Sequence, residues 1–404
     1  FGSSGSRHLG ATVRPLCKAT RLAMAVAALS LLACLAASAA ELAGPPSPPR
    51  GRGGGEGLPV DLAHPKPLVG EAWQRQWENL GTHGRPSGRE EGASYTWRGE
   101  LCLFGGRGAQ TVDCFNASSG EWRRSATITH DLHHVQPVVW RDEVWIVAGW
   151  NGWWPDHERE ISTVLIYNPI SDELRTGCSI PREYARGAAG VVVHNDKIYI
   201  VNGAVNGHVR QYGAVAYRGF TSFDPETCEW SHMGAEPHYN RDHFQAALVG
   251  AQIIVAGGRD SPRDNNISMG CHWTTAPTEW FDFNEGEGGG WHVAADIPTP
   301  RAGASSVVDM EGRLIILGGE TDSGNEAPPM CQHHPTPNLA HGTVERYDLS
   351  ANAWTKLPSM RSGRHAFGAG LLSVPPRQLL VAAAGVGCTG GQPLLEGTEA
   401  LLYR

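Results

Sequence analysis

Residues 314–319 read LIILGG, and residues 345–354 read ERYDLSANAW. The first segment is an apolar run that ends in two glycines, and the second carries Tyr347-Asp348 and then Trp354. The pattern occurs five times, with the small-Gly pairs Gly105-Gly106, Ala148-Gly149, Asn202-Gly203, Gly257-Gly258 and Gly318-Gly319. The aromatic pairs are Phe115-Asn116, Tyr167-Asn168, Phe223-Asp224, Phe281-Asp282 and Tyr347-Asp348, and the closing residues are Trp122, Leu174, Trp230, Trp291 and Trp354. This periodicity predicts a radial β-repeat rather than a single αβ unit.

Each repeat is predicted to form four strands, which we call a to d. Strand b is apolar at every position, as in residues 314–317, and such a run is typical of a strand buried on both faces. Strand c carries the aromatic residue, and strand d begins at the Trp. Short polar links between strands are typical of hairpin turns. The sequence therefore predicts an all-β fold of four-stranded antiparallel blades.

The last repeat is incomplete, because the chain stops one residue after Tyr403 without a fourth strand. A matching strand occurs at the other end of the repeats, around Trp73 or Trp77. If that strand pairs with the last strand c, the ring closes and two sheet edges are covered. We therefore predict six blades, one of which is shared by the two ends of the chain.

The composition fits short strands joined by tight turns, since the 404 residues include 51 Gly, 27 Pro and 14 Trp. The formal net charge is −8. No basic run follows the first 40 residues, so nucleic-acid binding is not expected.

Residues 1–40 are predicted to be a targeting segment, with basic residues before an apolar stretch and Ala37-Ser38-Ala39 as a cleavage pattern. A secretory signal is the favoured interpretation, while an organelle transit peptide and an uncleaved membrane anchor are the alternatives. Residues 41–69, rich in Pro and Gly, are predicted to be a linker, and residues 70–404 the repeat domain. Export would place the protein outside the cell or in the secretory pathway, with N-glycans expected at Asn116 and Asn266.

Nine cysteines are present, of which seven lie in the repeat domain. In an oxidising compartment some of them should pair. We expect a disulfide between two of Cys271, Cys331 and Cys388, and Cys102 with Cys114 is the competing pair.

The doubled Gly, the Tyr-Asp and the Trp resemble the kelch repeat of β-propellers, over about residues 70–404. Residues 301–354 match best, whereas Ala-Gly or Asn-Gly replaces Gly-Gly in repeats two, three and six. The resemblance implies a kelch-type six-bladed β-propeller of the class that includes galactose oxidase.

Long b–c loops are expected to share one face with the d–a junctions, and insertions on one face of a repeat fold usually mark a binding face. Five arginines recur at the d–a junctions, namely Arg89, Arg186, Arg241, Arg301 and Arg364. A ring of guanidinium groups there would attract anionic ligands. The alternative, common in kelch propellers, is that these arginines hydrogen-bond loop carbonyls.

The b–c loop of repeat two holds Trp150, Trp153 and Trp154, whose flat rings suit sugar faces or apolar protein patches. They could equally pack on a neighbouring loop. Histidines cluster at residues 130–134 and 333–341. Their spacing matches no known metal motif, so we expect solvated loop histidines, with no metal and no cofactor.

We expect an exported binding module whose long-loop face recognises a glycan or a protein, including anionic ligands. The main alternative is a small-sugar enzyme similar to the secreted kelch-type sialic-acid mutarotase, with Glu160, Glu183 or Glu320 as acid or base. A copper oxidase similar to galactose oxidase is less favoured, because His238-Tyr239 reverses the expected order of ligands. Buried carboxylates near a central pocket would favour an enzyme over a binding module.

Overall fold

The computed structural model describes residues 76–154, 157–208, 214–261, 273–286, 289–321, 340–388, 391 and 393–403. The predicted signal segment and linker lie outside these ranges, as do Asn266, Cys271 and Cys331. Across the described ranges the fold is all-β, with one short 3-10 helix at Phe283–Glu285. In that same part of the chain, no helix has the length and apolar character needed to cross a bilayer.

The described strands form six four-stranded antiparallel sheets. Strand β1 (Glu78–Asn79) precedes sheet 1, which contains β2 (Ala93–Trp97), β3 (Glu100–Phe104), β4 (Gln110–Asn116) and β5 (Glu121–Ile128). Sheet 2 contains β7 (Val138–Trp140), β8 (Glu143–Ile146), β11 (Thr163–Asn168) and β12 (Glu173–Ser179), and sheet 3 contains β13 (Gly190–His194), β14 (Lys197–Val201), β17 (Phe220–Asp224) and β18 (Glu229–His232). Sheet 4 contains β19 (Ala246–Val249), β20 (Gln252–Val255), β23 (Thr278–Asp282) and β24 (Trp291–Ala294), and sheet 5 contains β25 (Ser305–Val308), β26 (Leu314–Leu317), β27 (Val344–Asp348) and β28 (Ala353–Leu357). Sheet 6 contains β29 (Gly368–Val374), β30 (Arg377–Ala383), β31 (Thr398–Tyr403) and β1.

Small additional strands lie in the loops that connect the strands of these sheets. They are β6 (Leu132–His133), β9 (Trp150–Asn151), β10 (Arg159–Glu160), β15 (Ala204–Val205), β16 (Val215–Ala216), β21 (Arg259–Asp260) and β22 (Trp273–Thr274). Strands β6, β9 and β10 form a three-stranded sheet, whereas β15–β16 and β21–β22 form two hairpins. The long b–c loops are therefore partly ordered by short backbone pairings.

Strand β1 pairs antiparallel with β31, with Glu78 opposite Ala400. The Trp77 side chain is fully buried, and its indole nitrogen donates a hydrogen bond to the Pro358 carbonyl at 2.8 Å. The first strands of the sheets contact one another in the order β2, β7, β13, β19, β25, β29 and back to β2. All residues of β26 are buried, as the apolar run predicted.

The aromatic-Asn/Asp pair has a clear structural cause. The Asn168 side-chain oxygen accepts hydrogen bonds from the backbone nitrogens of Ile170 and Ser171, and Asp224 does the same with Glu226 and Thr227. Such side-chain turns set the tight c–d connection. The closing Trp then lies opposite the aromatic residue, seven residues on in Phe115–Trp122, Phe223–Trp230 and Tyr347–Trp354 and ten residues on in Phe281–Trp291.

The small-Gly pair is required where strand b ends. Gly318 and Gly319 have φ values of 61° and 106°, a region that favours glycine. A Cβ atom on Gly318 would lie 2.3 Å from the Arg364 carbonyl oxygen of the next repeat. Asn202 and Ala384 adopt the same left-handed conformation in repeats three and six, so the position tolerates other small residues at some cost in strain.

Candidate functional site

The five repeated arginines are buried, with at most 1% of each residue exposed. Four of them pair with a carboxylate on strand c of their own sheet, at 2.5–2.7 Å, in the pairs Arg89–Asp113, Arg241–Glu279, Arg301–Glu345 and Arg364–Glu399. Their other donors reach backbone carbonyls at the small-Gly turn, such as Gly257 for Arg241. Arg186 instead contacts the Thr221 hydroxyl, three carbonyls and the Tyr217 ring.

Repeat two supplies an internal comparison for these pairs. It has Leu132 at the arginine position and Leu165 at the carboxylate position, and both are buried in one apolar cluster. Both positions are thus apolar in the one repeat that lacks the arginine, as expected of a structural pair. The acid lies two residues before the aromatic in Asp113, Glu279 and Glu345, a regularity that sequence reasoning missed.

Burial lowers the pKa of Arg301 and of Arg241, although the paired carboxylates oppose the shift. Burial also lowers the pKa of Arg186, to about 10, since no carboxylate pairs with it. These contacts agree with the alternative prediction, in which the arginines hydrogen-bond loop carbonyls and hold the loops in position. Ligand binding by Arg89, Arg186, Arg241, Arg301 and Arg364 stays an untested prediction.

The three tryptophans of the repeat-two loop divide into two environments. Trp150 is fully buried, whereas 67% of Trp153 and 40% of Trp154 is exposed. The Trp153 ring stacks on His157 with ring centres 5.7 Å apart. The two exposed indoles therefore present an aromatic surface on the b–c loop side, while Trp150 faces the interior.

Six residues, one from each repeat, form what we call the central junction. They lie two positions after the arginine position, have φ between 49° and 61°, and are Glu91, His134, Ala188, His243, Gly303 and Ala366. Each backbone nitrogen from His134 onward donates to the carbonyl of the preceding member, at 2.7–3.4 Å. The junction lines a cavity of about 50 Å³. The repeat thus brings six side-chain positions to one place.

Three histidines meet beside this junction. One ring nitrogen of each of His134, His208 and His243 lies within 4.8 Å of those of the other two. The ring centres are 4.8–5.1 Å apart, and the Trp150 ring packs against all three. We call this group the three-histidine cluster.

Hydrogen bonds orient each ring of the cluster. His208 Nδ1 lies 3.1 Å from Glu158 Oε2, and His243 Nδ1 contacts Asp242 Oδ1. His134 Nδ1 lies 2.6 Å from His133 Nδ1, and His133 Nε2 lies 2.8 Å from the Gly152 carbonyl. The b–c loop of repeat two is thereby tied to the central junction.

Charged groups surround the cluster. Arg259 Nη2 lies 3.0 Å from Nε2 of both His208 and His243, and its Nη1 lies 3.5 Å from Glu320 Oε1. Arg107 contacts Glu158 and, at 3.1 Å, Glu90. This part of the molecule is a dense network of buried cations and carboxylates.

Desolvation lowers the pKa of His134 and of His243 well below the usual value, and neighbouring positive groups lower it further. Both rings are therefore neutral near pH 7. Desolvation would raise the pKa of Glu91 and of Glu158, but neighbouring groups lower both pKa values overall, with the electrostatic effect of His365 foremost at Glu91 and the hydrogen bond from His208 foremost at Glu158. Both carboxyl groups are thus ionised.

The expectation of solvated loop histidines is wrong for His133, His134 and His341, which are at most 8% exposed. His133 and His134 lie in the tight d–a turn, which shields their side chains from solvent. His333 and His334 lie outside the described residues. His238 is not part of the three-histidine cluster. Its Nε2 donates a hydrogen bond to the Trp291 carbonyl at 2.7 Å.

The predicted carboxylates have different surroundings. Glu320 is buried and lies 3.4 Å from His365. Glu160 accepts a hydrogen bond from the backbone of Asn206, and Glu183 is exposed. Glu91, Glu158 and Asp242 were not singled out from the sequence, because the chain order does not show that three different repeats meet here.

Two disulfides are described, Cys102–Cys114 across β3 and β4, and Cys178–Cys228 between sheets 2 and 3. Cys388 is also disulfide-bonded. The competing pair of the sequence analysis therefore forms, and the predicted loop disulfide involving Cys271 or Cys331 remains a prediction.

Comparison with known proteins shows which repeat family this sequence pattern resembles. The kelch motif family model matches residues 300–361, the segment that contains Arg301, the double glycine and Trp354. This segment of the chain is a kelch motif. The chain resembles Kelch-like protein terF from Aspergillus terreus (strain NIH 2624 / FGSC A1156), with 23% identity over 76% of this chain and 63% of that protein. It also resembles alpha-scruin from Limulus polyphemus, with 27% identity over 52% of this chain and 20% of that protein.

The chain spans less than two thirds of the length of those relatives. Among solved structures it resembles that titled "Structure of YjhT", with a TM-score of 0.61 and 16% identity, over 78% of this chain and 95% of that one. Identity at this level supports the fold alone.

Proposed function

We propose that the protein is an exported kelch module that binds a protein or glycan ligand on the face formed by its b–c loops and d–a junctions. The observation that carries this proposal is the exposure of Trp153 and Trp154 on a loop anchored in the core by Trp150. Large exposed indoles on an ordered loop are typical of a recognition surface. Kelch repeats generally mediate protein binding, which supports a protein ligand.

The architecture behind the proposal is a six-bladed propeller closed by β1. Six four-stranded sheets, the cyclic contacts of their first strands and the pairing of β1 with β31 support it. Export is supported by the N-terminal apolar segment and by the disulfides, since disulfides persist in oxidising compartments. The proposed surface omits the five arginines, because their side chains are buried.

A paired substitution tests the surface. The Trp153→Ala/Trp154→Ala variant and the unaltered protein would be compared on a glycan array and in cross-linking to cell-surface proteins. We expect the variant to lose at least tenfold in affinity for whatever the unaltered protein binds, with an unchanged melting temperature. Ile170→Ala is the matched control, since Ile170 is also 67% exposed but lies on a c–d turn. Equal binding by the tryptophan variant would overturn the proposal.

A small-sugar enzyme is the second candidate, and the buried carboxylates favour it. Glu91 lines the central cavity, and Glu158 and Asp242 lie close to it through the three-histidine cluster. Opening and closing a sugar ring needs only a base and an acid. NMR saturation transfer between the anomers of galactose and of N-acetylneuraminate would detect this activity. Exchange no faster than with the Glu91→Gln variant would reject the enzyme.

A further inference from the structure

We propose that His134, His208 and His243 form a binding site for one divalent transition-metal ion of the Co²⁺-to-Zn²⁺ series, with an oxygen ligand in the remaining position. This inference is independent of the ligand surface proposed above. It departs from the sequence analysis, which expected no metal, because the three residues come from three different repeats.

The hydrogen bonds fix which nitrogen of each ring is available. Carboxylate oxygens only accept, so His208 Nδ1 and His243 Nδ1 carry the hydrogens that face Glu158 and Asp242. Nε2 of both rings therefore carries the lone pair, which accepts from Arg259 Nη2. Imidazole nitrogens with such lone pairs are common transition-metal ligands.

His134 also carries its lone pair on Nε2, and in this case the partner that determines it is His133. The Gly152 carbonyl can only accept, so His133 carries its hydrogen on Nε2 and its Nδ1 accepts from His134 Nδ1. His134 Nε2 is left with a lone pair, it is buried, and it makes no hydrogen bond. A buried lone pair without a donor is unsatisfied, and a bound cation would satisfy it.

The surrounding residues have the arrangement found around bound metals. Metal-ligating histidines usually give their other ring hydrogen to a carboxylate or similar acceptor, which fixes the ring and raises its basicity. Asp242 and Glu158 occupy that place for two rings, and His133 occupies it for the third. Glu91 Oε2, 3.3 Å from His134 Nε2, is the nearest candidate for an oxygen ligand.

The distances require a small contraction. In a tetrahedral site with metal–nitrogen distances of about 2.1 Å, the ligand nitrogens lie about 3.4 Å apart. One nitrogen of each ring lies within 4.8 Å of those of the other two rings, so reaching that spacing moves each ring inward by less than about 1 Å. His208 lies on a b–c loop and its side chain is 17% exposed, so it has the most freedom to move.

Arg259 holds the position of a cation in the metal-free state. Its Nη2 lies 3.0 Å from Nε2 of His208 and of His243, where it donates to both lone pairs. Metal binding would displace this group toward Glu320, which Nη1 already contacts. Five carboxylates surround the cluster against two guanidinium groups, namely Glu90, Glu91, Glu158, Asp242 and Glu320 against Arg107 and Arg259. The charge around the cluster therefore favours a divalent cation.

The test is a metal titration of the purified chain, made without a histidine tag and stripped with a chelator. Co²⁺ is the probe, because its visible d–d bands report tetrahedral nitrogen coordination, and Zn²⁺ is then used to displace it. We expect one Co²⁺ per chain, and loss of the bands in His208→Ala. Arg259→Gln should bind Co²⁺ at least tenfold more tightly, since no guanidinium competes for the two nitrogens.

His292→Ala is the matched control, because His292 is exposed and hydrogen-bonds Glu285 away from the cluster. It should leave the Co²⁺ bands unchanged. Absence of stoichiometric binding by the unaltered chain would overturn the proposal, whether or not any variant folds. The same holds if His208→Ala folds and keeps the bands, or if Arg259→Gln binds no more tightly than the unaltered chain.

Discussion

Replacing Arg301 with leucine should destabilise the protein without touching any exposed surface. The guanidinium donates to Glu345 at 2.5 Å and to the carbonyls of Gly318, Thr299 and Ile316 at 2.5, 2.6 and 3.0 Å. The residue is 0% exposed. The substitution leaves the Glu345 carboxylate buried and unpaired, together with three carbonyls that lose a donor.

The size of the effect follows from these contacts. Removing one partner of a buried ion pair costs about 3–5 kcal/mol. For a domain of this size, about 2 °C of melting temperature corresponds to 1 kcal/mol, so we expect a decrease of about 6–10 °C. The control is Arg175→Leu, whose half-exposed side chain pairs with Glu143 and whose loss should cost about 1 kcal/mol or less.

The double variant Arg301→Leu/Glu345→Leu copies the arrangement that repeat two already has, Leu132 with Leu165. It should regain most of the stability, because the unpaired carboxylate is gone, and remain about 1–2 kcal/mol below the unaltered protein for the lost carbonyl contacts. Urea unfolding of the unaltered protein, Arg301→Leu, Glu345→Leu and the double variant gives the coupling energy between the two side chains. A single variant with full stability but weaker binding to heparin would refute this reasoning and support the ligand role of the arginines.

Three further outcomes are expected. Removing residues 41–80 should expose the edge of the last sheet and cause aggregation in size-exclusion chromatography; a monomer with unchanged melting temperature would contradict this. Gly318→Ala should lower stability by about 2 kcal/mol or more in urea unfolding, because the new methyl would clash with the Arg364 carbonyl at φ 61°. Asn116 and Asn266 should carry N-glycans in a eukaryotic secretory host, and an intact mass unaffected by deglycosylation would count against export.

The four-stranded sheets could be predicted from the sequence because each local pattern has a local cause. The side chain of Asp224 closes its turn, Gly318 adopts a left-handed conformation, and Trp354 lies directly opposite Tyr347. These contacts recur at a fixed spacing, so they leave a period in the sequence. The pattern of small-Gly, aromatic and Trp therefore predicted strands and turns well.

The three-histidine cluster could not be predicted in this way. His134 and His243 occupy the same position in repeats two and four, but the other repeats have Glu, Ala or Gly there. His208 lies in a b–c loop that follows no repeat pattern. Their proximity depends on how separate sheets pack, and that information is not carried by local spacing.

The six positions of the central junction are held by backbone hydrogen bonds that run in one direction from repeat to repeat. Glutamate, histidine, alanine and glycine all occupy such a position here, so the backbone does not dictate the side chain. Each repeat thus places one replaceable side chain at the same small cavity. A single substitution at one of these positions can alter the reactivity of the cavity while leaving every sheet intact. New chemistry can therefore arise in this fold without a change in its strands.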